Sequence, residues 1–472
     1  MKKLISILLI IIFISSCKMG ENYQGVTYIA PDAYKAETLE STREEFQFKS
    51  DSLSIDSLSG LNWFELFDDV VLDSLIRKGL RYNQNLAISA EKVYQAQLAL
   101  QNQRVQARPT VNYSGGINTG NYSGFALPNS VTSYNGIAGL SWEIDFWGKF
   151  SRLTEASRAR YLQTEEGFRA AKISLVETIA SAYFDYIEYK ARLNISTQTL
   201  ALRDSSLQLI QDRFDGGIIP EIDLNQAQIQ RAIAASTVPV VERTIAQTEH
   251  LISILTGVYP QDVPMGKNLY EQDTVFDVPA GLPSDLLKRR PDIVAAEQEV
   301  VATNAEIGVA IANRFPSISI TGSLGAATTA LTGSTELQAA YGIGGGITGP
   351  LFFWNTLKRN VDIARSSNKQ SILNYEATIL KAFREVEDNL VEIQTLKREL
   401  IFRQDHVTAA LRAQELSKDR YDQGVTSYLE YLESQRQAFE AQQNYAGTKS
   451  QLLKSYARLY KVLGGGWIFE EE

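Results

Sequence analysis

The chain has almost none of the side chains from which metal centres and nucleophilic sites are assembled. Among 472 residues there are one cysteine, two histidines and three methionines. A single cysteine excludes an internal disulfide framework. His250 and His406 lie far apart in helix-like sequence, so no imidazole pair is offered to zinc, and no Ser/His/Asp or Cys/His arrangement reads as a catalytic set. Three methionines supply no thioether path for soft metal ions. Positive charge is also in deficit: the net charge of -9 disfavours a nucleic-acid partner, whose phosphates demand clustered Lys and Arg. Long hydrophobic runs are missing too. The apolar stretch Leu4 to Ile14 falls well short of the roughly 20 residues that a membrane-spanning helix needs.

That short stretch has a different use. Lys2-Lys3, the apolar run and Ile14-Ser15-Ser16-Cys17 form the layout of an export leader with small residues before the cut. Cys17 stands where a bacterial lipoprotein leader places the residue that is acylated after cleavage, and three acyl chains exceed the two that stable anchoring needs. No aspartate follows it: Lys18 does, which directs the anchored chain to the outer membrane. No cofactor is expected beyond this covalent lipid.

The sequence repeats itself at a constant offset of 207 residues. Pro109 pairs with Pro316, Tyr134 with Tyr341, Phe146-Trp147 with Phe353-Trp354, and Arg213-Phe214-Asp215-Gly216-Gly217 with Arg420-Tyr421-Asp422-Gln423-Gly424. A register held without net insertion marks two copies of one unit. The expected division is 1–16 leader, 17–60 acylated linker, 61–256 first copy, 257–287 inter-repeat segment, 288–463 second copy and 464–472 tail.

Each copy runs through the same order of elements. A helix, about Asn85 to Ala107 or Pro291 to Asn313, is stopped by Pro109 or Pro316. Two strands follow, within about 110–146 and 317–353. In the second strand Tyr134, Ala138, Leu140, Trp142, Ile144 and Phe146 alternate with polar or small residues, giving one greasy and one wet face. A proline-free segment, about Lys149 to Arg213 or Leu357 to Arg420, then carries apolar residues at coiled-coil spacing: Ile173, Val176, Ala180, Tyr183 and Ile187, or Ile379, Phe383, Val386, Leu390 and Ile393. A glycine turn returns the chain through about Ile222 to Leu255 or Tyr428 to Leu463, with Pro220 suited to a first helical turn.

Strands of this length, behind an export leader and with aromatics near their ends, suit an outer-membrane barrel wall, although a soluble hairpin half-buried on a core shows the same alternation. Four strands cannot close a barrel, and open edges are not tolerated in lipid, so several chains must share one. Charges such as Glu165, Glu166, Arg169 and Lys172 keep the long helices out of hydrocarbon and project them into the periplasm. The fold expected is mainly α with a small β part. Glu143 and Asp145 either bias the lumen towards cations or serve as strand-end residues.

With these residues in view, the sequence resembles the TolC-like outer-membrane efflux proteins, lipoprotein branch. The local matches are Pro279-Ala280-Gly281-Leu282-Pro283-Ser284-Asp285-Leu286-Leu287 with Arg290-Pro291-Asp292-Ile293, and Trp63-Phe64-Glu65-Leu66-Phe67-Asp68-Asp69. The resemblance implies a homotrimer with a twelve-stranded outer-membrane barrel, four strands per chain, continued by a periplasmic α-helical barrel. The function it implies is a passive export duct for drugs, toxic compounds or metal ions. Its implied partners are a periplasmic adaptor and an inner-membrane RND-type transporter. It also implies that the two helix turns meet the adaptor, through Arg213, Gly217, Ile218, Arg420, Gly424 and Val425. Glu430 and Glu433 match an acidic pair ringing the closed periplasmic entrance, though a solvated helix face explains two glutamates equally. Tyr421 and Asp223 match an aromatic and an acid that hydrogen-bond to hold that entrance shut. Thr426 departs from the pattern, since some relatives carry arginine there.

Glycine-rich Gly342-Ile343-Gly344-Gly345-Gly346 is no phosphate loop, because Pro350 and Phe352-Phe353-Trp354 follow it instead of a helix start. Two other readings stay open at this level: a duct for type I protein secretion, and a lipid-anchored coiled-coil scaffold without a pore.

Overall fold

A computed structural model describes residues 18–26, 67–120, 131–272, 283–328 and 337–465. The leader, Cys17, linker residues 27–60, Trp63 to Leu66, Pro279 to Leu282 and most of the tail lie outside the described residues. Helices α1 (Val70–Tyr82) and α2 (Gln84–Val105) precede strands β1 (Thr110–Gly120) and β2 (Val131–Ile144). Helices α3 (Lys149–Asp215) and α4 (Glu221–Leu255) complete the first copy. The second runs α5 (Pro283–Arg289), α6 (Pro291–Ala312), β3 (Ser317–Thr328), β4 (Leu337–Thr348), α7 (Thr356–Asp422) and α8 (Tyr428–Val462).

The duplication is carried into these elements residue for residue. Helices α3 and α7 are both 67 residues long, α4 and α8 both 35, and each pair begins 207 residues apart (356 − 149 and 428 − 221). Their ends share one chemistry. At the ends of α3, α4, α7 and α8 stand Gly217, Gly257, Gly424 and Gly464, all at positive φ, which glycine adopts without strain. The next amide bonds back five residues, as in Ile218 N–H to Arg213 C=O and Val425 N–H to Arg420 C=O, both 2.9 Å. These are Schellman ends, which satisfy carbonyls that the helix leaves unpaired. Pro220 is the residue before the first helical one, not within the first turn as expected, while Pro291 does open α6. Among the described residues no helix is long and apolar enough to cross a membrane.

Packing divides the chain into two compact units, each drawing on both copies. The first holds the N-terminal segment with residues 91–166 and 294–378. Its sheet is antiparallel in the order β1-β2-β3-β4. Register puts Val111 opposite Leu140, Tyr113 opposite Ala138, Trp142 opposite Ile320 and Ile318 opposite Ile347, so most large apolar residues of the four strands share one face, with Ile137 on the other. That face is not buried: Tyr113 is 93% exposed and Ile343 94%. Asp145, considered above for the lumen, instead accepts from the Phe150 and Ser151 amides at the start of α3, and Glu143 pairs with Lys149 at 2.8 Å.

The N-terminal segment is strapped to this unit. Buried Arg152 donates to the Met19 and Gly20 carbonyls at 2.8 and 2.5 Å and pairs with Glu155, which also takes Lys18. Gly20 lies against Gly308 so closely that a Cβ on either would meet the other's backbone or the strap itself. Farther along, Asn304 donates to the Glu21 carbonyl and Tyr23 to Glu297.

The second unit holds residues 67–90, 167–293 and 379–465, among those described. The predicted seam residues Ile173, Val176, Ala180, Tyr183 and Ile187 are all buried there, as are Ile379 and Val386. Buried Asp69 is a hub: it caps α1 through the Val71 and Leu72 amides and accepts from Tyr183 Oη at 2.9 Å, Gln272 Nε2 at 2.8 Å and the Lys267 amide at 3.2 Å. Removing its carboxylate strands several buried donors at once. Asp69→Ala is therefore expected to cost about 3 kcal/mol or more, read as a lower temperature for loss of helical circular dichroism in the detergent-extracted protein. Leu72→Met, a nearby volume-conserving change, should shift that temperature far less.

Candidate functional site

The turns α3–α4 and α7–α8 meet around a buried cluster of Ile210, Leu224, Ala227, Tyr421, Tyr428, Tyr431 and Leu432. The cluster follows from helical spacing: Tyr428, Tyr431 and Leu432 fall on one face of α8, as Leu224 and Ala227 do on α4. Tyr421 packs its ring parallel to Tyr431 at 6.0 Å and tilted on Tyr428 at 5.6 Å. Burial pushes the Tyr428 hydroxyl up to about 12, and that hydroxyl has no hydrogen-bond partner among the described residues.

Duplication makes the turn chemistry easy to compare. Arg213 corresponds to Arg420 and Asp223 to Glu430, so each copy brings an arginine from the last turn of one helix towards an acid in the first turn of the next. In the second copy the pair closes locally: Arg420 meets Glu430 at 3.0 Å, and Thr426 donates to the same carboxylate. In the first copy it does not. Arg213 crosses to the other hairpin, with its guanidinium 4.6 Å from the Tyr421 ring centroid and 3.8 Å from Asp422. This departure from pseudo-symmetry ties the two hairpins together.

Several expectations are corrected by this geometry. The Tyr421–Asp223 hydrogen bond is absent: Tyr421 is held in the cluster and covered by Arg213, while Asp223 acts on it only through its charge. Burial raises the Tyr421 hydroxyl, and Arg213 opposes that rise. The Arg213 side chain, 25% exposed, is turned towards the other hairpin. Thr426, where a cation was missed, serves Glu430 as a donor. Glu430 and Glu433 are not a bare acidic pair either. Arg436 grips Glu433 with two bonds of 2.7 and 2.9 Å, and Gln437 adds a third at 3.0 Å. These bonds, Arg436 first, lower the Glu433 carboxyl to about 2.

Other residues named for the adaptor contact lie at the two turns. Gly217 and Gly424 have open space where a Cβ would be, although positive φ strains any replacement. Ile218 and Val425 are exposed, and so are Ile222 and Leu429, an equivalent pair that the sequence reading passed over. Below the cluster lies a polar layer also missed: Arg203, 4% exposed, donates to Gln435, which in turn donates to Ser206 at 3.4 Å. Its signal was an arginine on the buried stripe of α3, seven residues before Ile210. Burial lowers the Arg203 pKa.

Two outcomes follow. A folded value depressed below the ordinary 4.5 keeps its stabilisation above that value and loses it only as pH falls through about 2. Any difference in multivalent-cation binding between the native chain and Glu433→Gln should thus persist from about pH 7 to about pH 4. In hydrogen exchange, Arg213→Ala should speed exchange in 207–224 and 421–432 several-fold, whereas Tyr421→Phe should change it by less than a factor of about two, because no hydrogen bond to Asp223 is lost.

A family model described as outer membrane efflux protein matches residues 75–258 and 282–465, two matches displaced by the same 207 residues as the helices (282 − 75). The solvent efflux pump outer membrane protein SrpC of Pseudomonas putida is 34% identical over 412 residues, 85% of this chain and 87% of that one. The cation efflux system protein CusC of Escherichia coli is 30% identical over 96% of both chains. Among solved structures, the open state of the MtrE outer membrane channel of Neisseria gonorrhoeae superposes with a TM-score of 0.82 at 27% identity, over 95% of this chain and 98% of that one. With both copies matched in tandem and relatives aligned along almost its full length, the chain belongs to the outer membrane efflux protein family and is the outer-membrane channel component of an efflux pump.

Proposed function

We propose that three copies of this chain form a twelve-stranded barrel in the outer membrane, and that α3, α4, α7 and α8 of each copy build a periplasmic duct beneath it. The observation that carries this reading is the sheet, whose apolar face is unburied and whose order leaves β1 and β4 as edges. Hydrocarbon offers no partner for edge N–H and C=O groups. Two copies give eight strands, whose interior side chains fill, so three is the smallest number that leaves a passage. A pore-free scaffold would have no use for such a face.

A periplasmic adaptor and an inner-membrane RND-type transporter complete the assembly in this reading. The exposed pairs Ile218 with Ile222 and Val425 with Leu429 support two equivalent docking knobs per chain. Cargo is a small toxic compound. Relatives named for solvent, toluene and antibiotic efflux favour organic molecules, and the scarcity of methionine argues against soft metal ions. Acylation at Cys17 would anchor the chain, and the strap supports it by holding the next residues, Lys18 and Met19, against Gly148 and the Trp147 carbonyl. The Arg213–Tyr421–Asp422 contact serves as the closure between hairpins, and the arginine-paired Glu430 and Glu433 line the entrance.

Single-channel recording tests the duct. The purified oligomer in a planar bilayer should give discrete openings, more frequent in Arg213→Ala than in Tyr421→Phe; an inserted oligomer that never conducts in either variant would sink the reading. For the knobs, Ile218→Asp with Val425→Asp should abolish pump-dependent resistance to organic solvents at normal outer-membrane levels and unchanged bilayer conductance.

A further inference from the structure

The polar face of the sheet ends in a cavity of about 240 Å³, inside the first unit, where β2, β3 and β4 meet the start of α3 and the end of α6. Register puts Glu143 opposite Ser319 and Ser319 opposite Gly346, so Glu143 and Thr348 lie on the face away from Trp142 and Ile320. Both line the cavity, together with Lys149 and Asn313. A wall of another kind is made by Trp147 and Phe315, which stack at 4.5 Å with their rings 23° from parallel. The indole N–H donates to the Pro316 carbonyl at 2.7 Å, which fixes the stack.

We propose that this cavity binds a small organic cation, an ammonium group carried on a single aromatic ring, and is a stopping point for such molecules in the lumen. The proposal rests on the shared-barrel reading above for its place in the lumen, and it narrows the organic cargo named there.

Two acids and one lysine line the cavity, an excess of one negative charge that favours a cation. Asp145 is committed, since its two oxygens accept from the Phe150 and Ser151 amides at 2.9 and 2.8 Å. Glu143 takes Lys149 through one oxygen at 2.8 Å, and about a third of each side chain is open to solvent, so this pair is held only weakly. An incoming ammonium exchanges with Lys149 at Glu143. The Asn313 carbonyl and the Thr348 hydroxyl offer further acceptors, and the Trp147–Phe315 wall takes the ring and the charge beside it. A cavity of about 150 Å³ holds benzene, so this one has room for a ring with a short arm.

The duplication removes the plainest alternative, that these residues only fasten a strand to a helix. The second copy makes the same passage from strand to helix with Pro350, Phe352 and Thr356 in the positions of Glu143, Asp145 and Lys149. Gln106 and Arg108 likewise stand where Asn313 and Phe315 do. The join therefore needs neither the acids, the lysine nor the ring stack. The set occurs once per chain, and three times around a lumen shared by three chains. A site in a conducting path must release what it binds, so its dissociation constant is expected on the order of 1 mM.

Ligand-observed NMR on the full-length, detergent-extracted oligomer tests the site. Benzylammonium is the probe, and benzyl alcohol and n-butylammonium are its counterparts without the charge or without the ring. Benzylammonium should bind the native chain more tightly than either. Glu143→Gln should weaken benzylammonium about tenfold and benzyl alcohol by less than a factor of about two. Lys149→Gln removes the internal competitor and should tighten benzylammonium several-fold. Benzylammonium binding that is equal in the native chain and both variants overturns the site. If Glu143→Gln fails to assemble, Lys149→Gln decides alone, and unchanged or weaker binding rejects the proposal. Planar-bilayer recording separates the site from the duct. Benzylammonium near its dissociation constant should lower the open-channel current of the native oligomer, and lower it less in Glu143→Gln. Normal conductance without benzylammonium binding rejects the site while the duct stands. Binding with an unaltered open-channel current overturns its place in the lumen, and binding to an oligomer that never conducts supports the site while the duct reading fails.

Discussion

Backbone hydrogen bonding in a medium without water is the constraint on which the rest of this molecule depends. A four-stranded sheet with an unburied apolar face can lie in lipid only if its two edge strands find partners. Near the sheet stand features in keeping with that requirement: glycines within the strands, aromatic residues at the strand ends, and a strap of residues 18–26 packed on the same unit. Helices bear none of this demand, because their amides are satisfied internally. That is why α3 and α7 can carry charges along 67 residues and still be regular.

Duplication with selective divergence explains how one building plan yields two different ends. At the sheet the two hairpins keep one register, with Pro109 matching Pro316, Gly115 matching Gly322 and Gly139 matching Gly346, although most other glycines differ. At the helix turns the backbone is conserved down to the positive-φ glycine, yet the side chains part company. Arg420 closes on Glu430 in its own hairpin, while Arg213 leaves Asp223 and reaches across to Tyr421 and Asp422. This asymmetric bond between otherwise equivalent hairpins adds to the buried cluster and the Arg203–Gln435 contact that also join them. Solvent reaches both charged partners, Asp422 more than Arg213, which keeps the strength of the ion pair modest.

Much of the fold was legible because its punctuation is local. Prolines 109, 291 and 316 and glycines 217 and 424 act within a residue or two of where they stand, and the helix ends fell within two residues of where those signals put them. The seam residues of α3 were legible for a similar reason, since periodicity reports burial whatever lies opposite. The turn chemistry was less so. Whether Arg213 meets Asp223, its nearer acid in sequence, or Asp422 on the other hairpin depends on which helices pack together, and no spacing within one segment encodes that. Asp69, Arg152 and Arg203 were passed over because a lone charge in a sequence reads as solvated, and only the tertiary structure shows several donors or carbonyls converging on it.

The strap has a consequence for the order in which the molecule is made. Tyr23 is bound to Glu297, 274 residues later, and Gly20 fits against Gly308. Residues 20–23 thus lack part of their seat until nearly two-thirds of the chain has been made, although Arg152 and Glu155 come earlier. Docking of the strap is a late, long-range closure with a large entropic cost, repaid by a buried arginine holding two backbone carbonyls. Seated, the strap closes a span of 274 residues, so a chain that ended before α6 would lack the Glu297, Asn304 and Gly308 against which the strap packs.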